Sequence, residues 1–170
     1  MIQISFEPAF DPYHTAFRFL AQTRYVAEPI AAQRARIFDI YVLEPFRVKD
    51  IRVPQKLKSK AKAAANCQRP LYGRRPSSQS LYNRMRPIHD AALQTLALHG
   101  AMNMTTFEHD KLNLVSSWLS TKAVSAIDRE VERLEPLLEF LHETLAEFSF
   151  DGVGGIKDRT KLGEFKYDVV

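Results

Sequence analysis

Cysteine occurs once in the 170 residues, at Cys67. One thiol closes no internal disulfide, so nothing here asks for an oxidising compartment, and a cytoplasmic location is expected. Long apolar runs are also missing. No stretch approaches the roughly 18 apolar residues of a membrane span, so no membrane contact is expected. The opening MIQISFEPAF carries no basic residue and no long apolar block, so no secretion leader is expected there. Metal-binding spacing is absent too. His89, His99 and His109 are ten apart, no HExxH occurs, and Cys67 has no second cysteine nearby. The glycines are few, and four of six fall in residues 152–163. GVGG there lacks the Lys-Ser/Thr of a phosphate loop and reads as a hairpin turn. Cys67 lies in a basic segment that would lower its pKa, but no histidine is close enough in sequence to make it a nucleophile. No metal, cofactor or catalytic residue is therefore assigned, and no enzyme is expected.

What is present is an uneven distribution of charge. The net charge is +4. Residues 1–46 hold four basic and five acidic side chains, residues 47–86 twelve and one, and residues 87–170 eight and fourteen. A basic middle between a near-neutral start and an acidic end suits phosphate or an acidic protein face. Lys56, Lys58, Lys60, Lys62, Arg69, Arg74 and Arg75 form the tract, with Tyr72 inside it. Phosphate contact needs only charge and reach, and a solvated loop is the plain alternative.

Periodicity predicts a mainly helical chain with a short strand at each end. Ile2, Ile4 and Phe6 alternate, as do Phe165, Tyr167 and Val169, and the two strands are expected to pair. Asp11-Pro12 signals a helix start, and FDPYHTAFRFL should place Tyr13, Ala16, Phe17 and Leu20 on one face. Helices are expected near 11–23, 30–43, 87–99, 105–119 and 126–148. Asp39 is expected to face solvent within the second. Pro87 suits a first turn, and Gly100 suits a stop. Thr105 and Glu108 match a capping box, so residues 87–120 admit a helix-turn-helix or winged-helix-like element. Ile127, Val131, Leu134, Leu138, Leu141, Leu145 and Phe148 form a heptad-type stripe, with Pro136 set to kink or restart the helix. Leu137 and Phe140 widen that stripe beyond one buried seam, which marks them as a partner surface. Glu135, Glu139, Glu143 and Glu147 line one ridge, solvated or neutralised by a basic partner, either this chain's own connector or another subunit. The division is an N-terminal helical segment (1–46), a flexible basic connector (47–80) and a C-terminal helical segment with a glycine-rich tail (81–170), the two helical segments forming one compact unit.

Three strings, FDPYHTAFRFL, RARIFDIYVLEPF and SLYNRMRPIHDAALQTLALHG, resemble in that order the middle components of bacterial ABC-three-component conflict systems of the Lamassu type. The resemblance spans residues 6–46 and 80–101, about a third of the chain. It implies a non-enzymatic accessory subunit of an anti-phage or anti-plasmid complex. The implied companions are an SMC-like ABC ATPase and an effector, often a nuclease, with double-stranded DNA reached through the complex. On this reading His14 and Arg18 contact a companion, Leu137, Phe140, Glu139 and Glu143 form a second contact face, and Lys56, Lys58, Lys60, Lys62, Arg74 and Arg75 meet DNA or an acidic partner. The rival reading is a free-standing helix-turn-helix DNA-binding regulator.

Overall fold

The computed structural model describes residues 7–68, 75–103 and 110–163. The architecture is mainly helical, and its described sheet has two strands of two residues each. The predicted terminal strands, and Arg69, Tyr72 and Arg74, lie outside the described residues.

Helix α1 runs Pro12–Val26. The Asp11 carboxylate accepts from the backbone N–H of Tyr13 at 2.7 Å and of His14 at 3.1 Å, satisfying two of the unpaired donors at the helix start. The buried face differs from the expected one. Ala16, Phe19 and Leu20 are buried with Thr15 and Gln22, whereas Tyr13 is 77% exposed. The reason is that α1 packs against three other helices at once, so a wider arc than one stripe is covered.

Helix α2, Ala32–Leu43, is buried around most of its circumference, including Ile37, Phe38, Ile40, Tyr41 and Val42. Asp39 is buried with them and fully hidden, which corrects its predicted solvent position. Just before α2, strand β1 (Ile30–Ala31) pairs antiparallel with β2 (Lys111–Leu112), Ile30 opposite Leu112.

Within the segment read as a flexible connector, the described residues include regular elements. A 3-10 turn covers Pro45–Asp50, another covers Gln55–Leu57, and helix α3 covers Lys58–Ala65. Ala61 and Ala64 are buried, and their small side chains let the α3 backbone seat closely. A lysine-rich sequence docks here because its alanines, three apart, share one face.

Helix α4 starts earlier than predicted and runs Ser78–Leu98, with Pro87 inside it. The Ser77 hydroxyl caps it, accepting from Ser80 N–H at 3.2 Å. An interior proline costs about 3 kcal/mol, and burial of Leu81, Tyr82 and Met85 upstream offsets that. Gly100 ends the helix as expected. It has φ +70°, and Ala101 N–H reaches back to Leu96 carbonyl at 2.9 Å, a Schellman closure. Beyond it, residues 110–119 give β2 and a 3-10 turn at Ser116–Trp118 in place of the predicted helix. The second helix of a helix-turn-helix is therefore missing among the described residues of that stretch, and residues 104–109 lie outside them.

Helix α5, Thr121–Arg133, ends at Leu134, and Pro136 restarts the chain as α6, Glu135–Glu139. A π-helical turn, Phe140–Thr144, and a 3-10 turn, Leu145–Glu147, follow. The single helix predicted over 126–148 is thus divided, since the Pro136 ring has no N–H for a continuous ladder. Leu137 and Phe140 are 0% and 1% exposed, which corrects their assignment as a partner surface: α2 and α3 of this same chain contact this region. The glycine-rich turn is followed by helix α7, Ile156–Thr160, whose Ile156 joins the core together with Leu162.

Candidate functional site

Each of the three family-like strings supplies one member of a buried ionic cluster. Arg18 comes from α1, Asp39 from α2 and His89 from α4. The Arg18 guanidinium grips the Asp39 carboxylate with two hydrogen bonds, Nε to Oδ1 at 2.7 Å and Nη2 to Oδ2 at 2.9 Å. It also donates to Thr15 Oγ1 at 2.9 Å and to the Pro8 carbonyl at 3.2 Å. His89 Nε2 lies 3.0 Å from Asp39 Oδ2. An ionised carboxylate only accepts, so Nε2 carries the proton. Burial alone would push the Asp39 carboxyl up. The Arg18 charge and the hydrogen bonds from His89 and Arg18 outweigh it and hold the carboxyl below the usual range.

An aspartate holding a histidine is the orienting half of a hydrolytic triad. Among the described residues no nucleophile completes it. His89 is 0% exposed, its Nδ1 has no hydrogen-bond partner among the described residues, and the Phe19 and Tyr82 rings stand 5.5 and 6.2 Å away. The cluster joins three helices through one carboxylate. Arg18, predicted to meet a companion, is therefore spent inside the chain, because its partner lies on the neighbouring helix.

A surface cleft of about 360 Å³ opens beside this cluster. Phe17, Val42, Leu43, Pro45 and Phe46 supply apolar wall, and His14, Arg18, Glu44, Arg75, Glu130 and Arg133 supply charge and polarity. His14 is exposed at its rim. Glu44 is buried between Arg47 and Arg75. Arg47 also donates to Ser78 Oγ at 3.1 Å and the Pro76 carbonyl at 3.0 Å, fastening the end of α2 to the start of α4. The Phe46 ring is met by the Arg47, Lys49 and Arg75 cations at 5.5, 5.7 and 5.5 Å. None of this Glu44 network was legible in sequence beyond a Glu44-Arg47 spacing of three.

The acidic ridge is partly neutralised from within. Lys60 Nζ sits 2.8 Å from Glu139 Oε1, and the Tyr25 hydroxyl donates to Glu143. The chain's own basic segment thus answers part of its acidic one. Lys56, Lys58 and Lys62 are exposed and pair with no carboxylate among the described residues. Burial raises the Cys67 thiol's pKa, against the expected lowering, although a backbone hydrogen bond from Leu137 and the Arg133 charge pull the other way. Among the described residues no three metal-ligating side chains converge, and no helix is long and apolar enough to cross a membrane.

His142 gives this fold a pH dependence. It sits in the π-helical turn with its ring edge-on to Phe38, centroids 5.1 Å apart, and its Nε2 is buried without a hydrogen-bond partner among the described residues. Burial first, and then the Arg34 charge, push its pKa down to about 3. The unfolded chain binds this proton near pH 6.5 and the folded chain only near 3. The stabilisation is thus complete above about pH 6.5 and is lost at about 1.4 kcal/mol per pH unit as the pH falls. His142→Phe should shrink the loss of stability between about pH 7 and pH 5 by about 2 kcal/mol, read from urea midpoints. An unchanged pH dependence would remove His142 from that role.

Compared with known proteins, residues 4–168 match the family model described as ABC-three component (ABC-3C) system Middle Component 5. No curated protein and no solved structure matches the chain.

Proposed function

Because the chain belongs to the Middle Component 5 family of ABC-three-component systems, we propose that it is a non-catalytic cytoplasmic subunit bridging an SMC-like ABC ATPase and an effector such as a nuclease in a Lamassu-type anti-phage or anti-plasmid complex. One observation supports this reading beyond membership. Three ionisable side chains of the family-like strings, Arg18, Asp39 and His89, are buried and bonded together through the Asp39 carboxylate. The first two strings also line a mixed apolar and charged surface cleft. That combination suits a rigid piece held between others, with its chemistry supplied by its neighbours. Contact with double-stranded DNA comes through the assembled complex.

Co-expression of the chain with the other two components of its system, followed by affinity purification through a tag on this subunit, tests the reading. All three should elute together. Phe17→Glu, which puts a charge on the half-buried cleft wall, should weaken that association by about tenfold or more, as loss of a central apolar anchor does. A chain that elutes alone in the presence of both companions rejects the subunit assignment.

A further inference from the structure

A second groove, away from the cleft described above, lies between the 3-10 turn Pro45–Asp50, the extended residues after it and α3. Its volume is about 460 Å³. Four cations line it, Lys49, Arg52, Lys58 and Lys62, and no carboxylate does. All four are exposed, and none forms an ion pair with a carboxylate among the described residues. Apart from Asn66, the lining between them is aliphatic, formed by Val48, Ile51, Val53, Ala61 and Ala65.

The helix period creates this arrangement. Lys58 and Lys62 are four apart, so they share a face of α3. Lys60, half a turn round, points the other way and is taken by Glu139. The α3 lysines left without a carboxylate partner among the described residues are therefore gathered on one side, above an apolar trough.

From this geometry we infer that the groove docks an acidic peptide segment, with an aliphatic side chain seated in the trough and carboxylates against Lys49, Arg52, Lys58 and Lys62. The charge selects an anionic partner. The trough selects a peptide over a nucleic acid. Phosphate contacts need cations alone, and sequence-tolerant binding of single strands adds aromatic rings for base stacking, of which this groove has none. A trough of this size fits one or two aliphatic side chains and is wasted beneath a phosphate backbone. In naming a companion component as the source of the peptide, the inference rests on the subunit reading above.

Short overlapping peptides covering both companion components, probed with the intact labelled chain, provide the test. Bound peptides should combine several Asp or Glu with a Leu, Ile or Val. Anisotropy with the tightest of them should show about tenfold weaker binding for Lys58→Glu with Lys62→Glu and about fivefold for the half-buried Val53→Ser. Lys56→Glu, outside the groove, should change little. A short DNA duplex in the same assay should be indifferent to Val53→Ser. The inference is overturned if no acidic-aliphatic peptide binds, if Val53→Ser leaves peptide affinity intact, or if the duplex binds more tightly than any peptide and loses affinity in the lysine variant. Any of these outcomes with all three components still co-purifying removes the groove's role and leaves the subunit assignment standing.

Discussion

Replacing Leu137 and Phe140 together by alanine is expected to unfold the chain. Both are sealed in the core that also holds Phe38, Tyr41, Met85 and Leu141. A buried Leu→Ala costs about 2–5 kcal/mol and a buried Phe→Ala about 3–5, because removed contacts leave a cavity that neighbours only partly fill. Sites this close couple, yet even the lower ends together approach the roughly 5–15 kcal/mol that holds a typical domain. Far-ultraviolet circular dichroism of the purified double variant should show loss of most helix, and its urea transition should vanish or move close to zero denaturant. A variant that keeps its helicity and melting temperature but no longer joins its companions would return these residues to a partner interface.

Asp39→Ala should be the most damaging single polar substitution. It strands the Arg18 guanidinium and the His89 Nε2–H in a region where Asp39 and His89 are fully hidden and Arg18 is 5% exposed. Removing one partner of a buried ion pair costs about 3–5 kcal/mol, mostly through the charge left behind. Replacing both charges with apolar residues of similar size is far less costly, so Arg18→Met with Asp39→Leu should recover much of the loss. Urea unfolding of the wild type, the single and the double variant measures this directly. The sign of the pH dependence follows from the depressed Asp39 carboxyl. Its contribution is present above the ordinary carboxylate range, about pH 4, and disappears as pH falls through the lower folded value. A single variant less than about 1 kcal/mol weaker than wild type, the scale of one ordinary hydrogen bond, would mean that the cluster does not hold the three helices together.

The two substitutions also locate what the sequence left open. Leu137 and Phe140 were legible as apolar, and their excess over one seam was legible too. What covers them was not, because α3 reaches them from a lysine-rich stretch whose only docking signal is the pair Ala61 and Ala64. Asp39 stood out as an acid inside an apolar helical run. Its partners lie 21 and 50 positions away, beyond the reach of any local pattern.

By itself the sequence determined the mainly helical class, the start of α1 at Asp11-Pro12, the stop at Gly100 and the break near Pro136. It also carried the strings that resemble the family. Caps, proline rings and left-handed glycines act within a few residues, so their effects are written locally. The tertiary structure alone decided that Arg18, Asp39 and His89 meet, that Lys60 turns to Glu139 while Lys58 and Lys62 stay outside, and that the basic segment forms a wall of the fold. Those outcomes depend on which distant surfaces exclude water together, and a side chain's type states how strongly it resists or seeks burial without naming the segment that will cover it.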